Sequence, residues 1–122
     1  MQDFRNLKVW QKAHLLTLAV YRVTGLFPKS ELYGLVQQMR RAAASVPTNI
    51  AEGTGRGSDA DFVRFLWMAN GSAKELDYQL LLSFDLGYIP DAEYQNLLAQ
   101  TDEVKRMLAS LIGSIKAHSR ES

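Results

Sequence analysis

Cysteine is absent from the 122 residues. Disulfides, thiolate metal sites and cysteine nucleophiles are thereby excluded. Proline occurs three times and glycine eight times, too sparsely for a disordered or fibrous chain. No apolar run approaches the roughly 18 residues of a membrane span, and Met1 to Leu7 is polar, unlike a signal peptide. A cytoplasmic protein with no membrane association is expected. No stretch alternates with period two, so no sheet is expected. His14 has no acidic partner at helical metal spacing, and Glu-x-x-His is missing. A di-iron bundle is therefore disfavoured, and neither metal nor cofactor is expected. What is present is 47% apolar and 22% charged residues in a length that suits one globular domain, residues 1–122.

A net charge of +1 hides an asymmetry. Residues 1–58 carry eight basic and three acidic side chains, a net +5, while residues 59–122 carry six basic and ten acidic, a net −4. Two readings follow. The halves attract each other within a bundle or between subunits, or the basic half presents a surface to a polyanion.

Four helical segments are predicted, about 7–24, 31–52, 58–86 and 91–117. In the first, Leu7, Trp10, Ala13, Leu16, Val20 and Val23 recur at steps of three and four. Phe27-Pro28-Lys29-Ser30 ends it, with Ser30 placed to cap the next helix. The second carries Leu32, Leu35, Val36, Met39, Ala42, Ala43, Val46 and Ile50. Pro47 lies inside it and removes the bond to the Ala43 carbonyl, so a kink is favoured over a break. The glycine-rich stretch from Gly53 to Gly57 is expected to close it as a loop. Ser58 is placed to cap the third, where Phe62, Leu66, Ala69, Ala73, Leu76 and Leu80 step 4-3-4-3-4, a bundle seam. Gly87 terminates it. The fourth repeats the seam with Leu97, Thr101, Val104, Leu108, Leu111 and Ile115, before a polar tail expected to fray. Short connections make neighbours antiparallel. The expected fold is all-α, an antiparallel up-down-up-down four-helix bundle.

Segment three has more apolar surface than one seam needs. Trp67, Gly71 and Tyr78 form a second stripe and are the candidate oligomer interface. Segment two carries a polar line of Arg41, Ser45, Asn49 and Glu52, answered on segment three by Ser72, Glu75 and Gln79. An Arg41–Glu75 pair is expected, with Asn49 bonding the backbone near Pro47. A catalytic pocket built from Glu52, Glu75 and Asn49 is the weaker alternative, and no catalytic residue is assigned. Lys8, Lys12, Arg22, Arg40, Arg41 and Arg56 are the candidate nucleic-acid contacts. The loop Gly53 to Ser58 lacks the Lys-Ser/Thr ending and the preceding strand of a phosphate cradle, so a helix terminator plus cap is preferred.

Several phrases occur together in order: Leu7-Lys8-Val9-Trp10-Gln11, Tyr33-Gly34-Leu35, Gln38-Met39-Arg40-Arg41-Ala42-Ala43, Ser45-Val46-Pro47 and Asn49-Ile50-Ala51-Glu52-Gly53. Arg56-Gly57-Ser58, Phe65-Leu66, Gly71-Ser72, Glu75-Leu76 and Gly87-Tyr88-Ile89 follow. This resembles the bacterial four-helix-bundle family encoded in intervening sequences of 23S ribosomal RNA genes, over about Asp3 to Ile115. The resemblance implies a cytoplasmic homo-oligomer, a barrel-like pentamer. It also implies kinship with an accessory protein of diversity-generating retroelements, which binds nucleic acid and a reverse transcriptase. The motif positions carried over are Arg40, Arg41, Asn49, Glu52, Gly53, Arg56 and Glu75, and no catalytic role is implied for them. The expected function is a non-enzymatic scaffold or adaptor for RNA, DNA or a nucleic-acid enzyme. The alternative is a protein–protein interaction module that binds no nucleic acid.

Overall fold

Helical periodicity and capping residues produce four helices in the computed structural model, which describes residues 3–121. They are α1 (Lys8–Thr24), α2 (Leu35–Thr54), α3 (Asp59–Asp85) and α4 (Asp91–Glu121), with 3₁₀ turns at Phe4–Asn6 and Lys29–Glu31. Met1, Gln2 and Ser122, counted above in the polar ends, lie outside the described residues. Each helix packs on its two sequence-adjacent or terminal neighbours: α1 on α2 and α4, α3 on α2 and α4. Helices α1 and α3 therefore stand across the diagonal of an antiparallel four-helix bundle.

The seams meet along the axis. Leu16 and Val20, Met39, Val46 and Ile50, Leu66, Leu76 and Leu80, and Leu97, Val104 and Leu108 are all essentially inaccessible. Ala13, Ala43, Ala69 and Ala73 lie among them and let the backbones approach. In α4 the seam leaves the strict heptad after Leu108. Ile112 is buried and Leu111 only partly so, because an α-helix of 3.6 residues per turn drifts against a 3.5 repeat. The buried Thr101 satisfies its own hydroxyl on the Leu97 carbonyl at 2.7 Å.

Three local expectations need correction. Ser30 does not cap α2. Lys29–Glu31 is a 3₁₀ turn, and Gly34 precedes the helix without a side-chain cap. Glu31 is instead held across the bundle end, where its carboxylate accepts the Tyr88 hydroxyl at 2.8 Å. Gly53 is not loop either: α2 runs through Thr54 and buries it. A Cβ on Gly53 would meet Phe62 Cδ1 at 2.8 Å and Phe65 Cβ at 3.1 Å, so glycine is what allows α3 to pack there. Finally, α4 does not fray at Ala117 but continues to Glu121, and Ser119 donates to Asp59 Oδ2 at 2.8 Å.

Pro47 leaves α2 unbroken. The Ala43 carbonyl that loses its helical donor faces the Thr17 hydroxyl of α1 at 3.0 Å. That hydroxyl is also 2.8 Å from the Ala13 carbonyl, so one proton serves two acceptors. At the far end, Gly87 at φ +80° closes α3, where a residue with a Cβ would be strained. Gly87 N–H donates to Phe84 O and Tyr88 N–H to Ser83 O, both at 2.9 Å, the paired bonds of a Schellman motif.

Candidate functional site

The six candidate basic contacts do not form one patch. Lys8, Lys12 and Arg22 share the outward face of α1 with Leu15, and all four are exposed. Lys12 pairs with Glu103 of α4 at 3.5 Å. Arg40 is half-buried and folded back onto the C-terminal turn of α1. Its Nε donates to Thr24 Oγ1 at 3.0 Å, its Nη2 to the Tyr21 carbonyl at 3.2 Å, and its Cζ lies 4.7 Å from the Tyr21 ring centroid. A cation there also meets the negative end of the helix dipole. Arg40 is thus a clamp between α1 and α2, not a free phosphate contact. Arg41 is exposed and makes no ion pair among the described residues. Arg56, in the connection before α3, lies 4.5 Å over the Phe65 ring.

The polar line divides between two clefts. Asn49 donates from Nδ2 to the Ser45 carbonyl at 2.9 Å and to Ser45 Oγ at 3.0 Å. Ser72 Oγ of α3 completes the link to Ser45 Oγ at 2.8 Å. Asn49 thus bonds α2 one turn before itself, beside Pro47. The expected Arg41–Glu75 pair is not formed. The two line an open polar cleft of about 390 Å³ between α2 and α3, with Gln38, Ser45 and Ser72. Both are exposed, and water solvates each charge at little cost, so nothing compels them to pair. Glu75 instead accepts from Nε2 of the buried Gln79 at 3.3 Å. Glu52 lines a different groove, between α1 and α2, with Trp10, His14 and Pro47. Glu52 and Glu75 therefore do not share a pocket, which separates the members of the catalytic alternative. Among the described residues no group of three or more His, Cys, Asp or Glu could hold a metal ion. Among the same residues no helix is long and apolar enough to cross a membrane.

The outward face of α3 repeats the logic of its inward one. Trp67, Gly71, Lys74, Tyr78, Leu81 and Asp85 step 4-3-4-3-4, and every one is exposed. Trp67 is 49% accessible, with the Lys116 ammonium 5.8 Å from its ring centroid, and Tyr78 is 62% accessible. Apart from the neighbouring residues and backbone of its own helix, nothing lies within 4 Å of a Cβ built on Gly71. Across the diagonal, α1 exposes Leu15, Leu18 and Tyr21.

Two groups were not anticipated from sequence. Lys105 of α4 bonds Asp77 of α3, with Asp102 at 3.4 Å from the same ammonium. The hydrogen bond to Asp77 outweighs burial and holds the Lys105 pKa above its ordinary value. Donation to Glu31, reinforced by burial and by that carboxylate's charge, likewise raises the Tyr88 phenol. Neither pairing has a sequence signal, since each joins residues at least 28 positions apart.

The sequence profile of the 23S rRNA-intervening sequence protein family matches residues 5–110. The chain belongs to that family. The family match takes in all the basic, polar and outer-face residues described above. A crystal structure from Bacteroides thetaiotaomicron, a protein with unknown function from the S23 ribosomal protein family, shares the fold with a TM-score of 0.80. It is 24% identical, and the alignment covers 86% of this chain and 95% of that one. No curated protein matches the chain.

Proposed function

We propose that this chain is a non-enzymatic subunit of a homo-oligomeric ring, a barrel-like pentamer, that acts as a scaffold or adaptor for RNA, DNA or a nucleic-acid enzyme such as a reverse transcriptase. The observation that carries the oligomer is the exposed heptad seam on α3. A 4-3-4-3-4 stripe with Trp67, Tyr78 and Leu81 is suited to another helix, and Gly71 admits close approach. The apolar residues of α1 point away on the opposite side of the bundle. Two unlike faces favour head-to-tail contacts, which make a ring where the rotation from copy to copy closes. Arg22 flanks the α1 face, and Glu75 and Asp85 border an α3 seam that also carries Lys74.

Nucleic-acid binding rests on the exposed cations outside that contact, Lys8, Arg41 and Arg56. Each recurs once per subunit, so modest contacts would gain from multivalency. Salt-dependent binding to structured RNA tests this. Arg41→Glu should weaken binding severalfold with unchanged stability, because Arg41 is exposed and makes no ion pair among the described residues. Arg40→Glu is a poorer choice, since it breaks the α1 clamp. No binding at about 50 mM salt sinks the nucleic-acid reading. The protein–protein module then remains, favoured by the exposed apolar residues of α1 and α3.

A further inference from the structure

Between α2 and α3, two opposite charges stand in one cleft and no ion pair within the bundle uses either. Arg41 on the α2 wall and Glu75 on the α3 wall line about 390 Å³ with Gln38, Ala42, Ser45 and Ser72. No other charged side chain lines it, so the cleft carries one charge of each sign. Its hydrogen bonding is also incomplete. Ser72 Oγ and Ser45 Oγ are 2.8 Å apart, and Asn49 Nδ2 donates to Ser45 Oγ at 3.0 Å. Two hydroxyls joined by one bond keep a second proton, and neither has another acceptor among the described residues. Gln79 is 4% exposed and donates from Nε2 to the Glu75 carboxylate at 3.3 Å. A carboxylate only accepts, which fixes the orientation of the amide and leaves Oε1 as its free acceptor. That oxygen is buried without a partner, on the same amide group that touches Glu75. A buried polar atom in this state is costly, and folded proteins hold few of them.

We propose that this cleft binds a small α-amino acid as its zwitterion, with the ammonium on Glu75 and Gln79 and the carboxylate on Arg41. The inference goes beyond the nucleic-acid reading and shares only Arg41 with it. A simple anion placed here meets the repulsion of Glu75, and a simple cation that of Arg41. An occupant with both charges on neighbouring groups satisfies the two walls together, and each singly charged competitor is disfavoured by one of them. An ammonium brings three N–H donors, one for the Glu75 carboxylate and another for the orphaned Gln79 oxygen. The ligand carboxylate accepts from the guanidinium fork of Arg41. The spare hydroxyl proton of the Ser45–Ser72 pair lies one helical turn along α2 from Arg41 and adds a second donor. Ala42, Ser45 and Ser72 are all small, which leaves room between the two charges. About 390 Å³ is towards the small end of ligand pockets, so the ligand's own side chain is short.

Probes of one shape isolate the two charges. L-alanine carries both, L-lactate lacks the ammonium, and L-alaninamide lacks the carboxylate. Each is titrated into the ¹⁵N-labelled chain while the Arg41 Nε–H and the Gln79 side-chain amide resonances are followed by NMR. L-alanine is expected to shift both saturably, with a Kd of about 1 mM or tighter. The other two should bind at least about tenfold more weakly. Arg41→Gln and Glu75→Gln should each cost about 10- to 100-fold in affinity for L-alanine, the worth of a hydrogen bond to a charged group. Helical circular dichroism should be kept in both variants, because both side chains are exposed. Equal binding of L-alanine and L-lactate overturns the zwitterion. A shift at Arg41 with the Gln79 amide unmoved overturns the placement of the ammonium, and with it the proposal. No shift at about 20 mM L-alanine overturns the site itself. Resonances of Arg41 and Gln79 that follow protein concentration instead of L-alanine show that a second copy fills the cleft, and also overturn the proposal. Strand binding by the wild-type chain, measured without amino acid, stands or falls independently of these outcomes.

Discussion

The Thr17 hydroxyl of α1 faces the gap that Pro47 leaves in the α2 hydrogen-bond ladder. Pro47 removes the donor to the Ala43 carbonyl, and Thr17 is the side chain that reaches it. Thr17→Val should leave that buried carbonyl without a partner and cost about 1–3 kcal/mol in denaturant unfolding. Pro47→Ala restores a backbone N–H to the same carbonyl. The two substitutions should therefore couple, with Thr17→Val losing about 1 kcal/mol or more of its cost in the Pro47→Ala background. Additive effects would show that Thr17 acts only by packing. Gly53 is a residue of the same kind. Gly53→Ala pushes a methyl group against the Phe62 ring and the Phe65 Cβ, neither of which yields easily. A loss of about 1–3 kcal/mol is expected from such overpacking, with partial relief from Phe62→Leu. The sequence shows both residues, but Thr17 reads as one more position on an amphipathic helix and Gly53 as a loop glycine. Their roles depend on which atoms of another helix stand opposite.

Pairs of elements are tied by a few polar bridges outside the seams. Lys105 joins α4 to Asp77 of α3, and Tyr88 joins the α3–α4 connection to Glu31 of the α1–α2 connection. Both groups hold their proton more tightly in the folded state than in the unfolded one. A raised folded pKa contributes stability that is complete below the unfolded value and is lost as pH rises through the folded one. The melting temperature should therefore hold steady up to about pH 10 and fall beyond it. Lys105→Met should remove part of that alkaline fall; an identical profile in wild type and variant would exclude the Asp77 bridge as its source. Helix existence and seam phase were legible in the sequence because each is a property of one element. The Arg41–Glu75 expectation failed because charges on facing helices pair only when their offset allows it. In this cleft both remain in water.

For the whole molecule, the exposed apolar residues of α1 and α3 lie on helices that stand across the bundle diagonal. Tyr78→Glu places a charge in the outer seam of α3 without touching the core. It should reduce the mass measured by light scattering towards the 13.7 kDa subunit while the helical circular dichroism is kept. A wild-type particle of that mass at micromolar concentration would exclude the ring outright. Loss of helicity in Tyr78→Glu would instead mark the seam as part of the fold.

Local chemistry settled much of this protein in advance. Periodicity placed four helices, Ser58 and Gly87 bounded the third, and the surplus of apolar positions on that helix marked a second face. These follow from sequence because side-chain direction along one helix is set by the 3.6-residue turn. Only the tertiary structure decided that Arg40 clamps the end of α1, that Thr17 serves the carbonyl freed by Pro47, and that Glu52 and Glu75 face different clefts. It also placed Trp10 and His14 beside Glu52. Those outcomes turn on the rotation and offset between helices, and one helix's residue spacing carries no information about either.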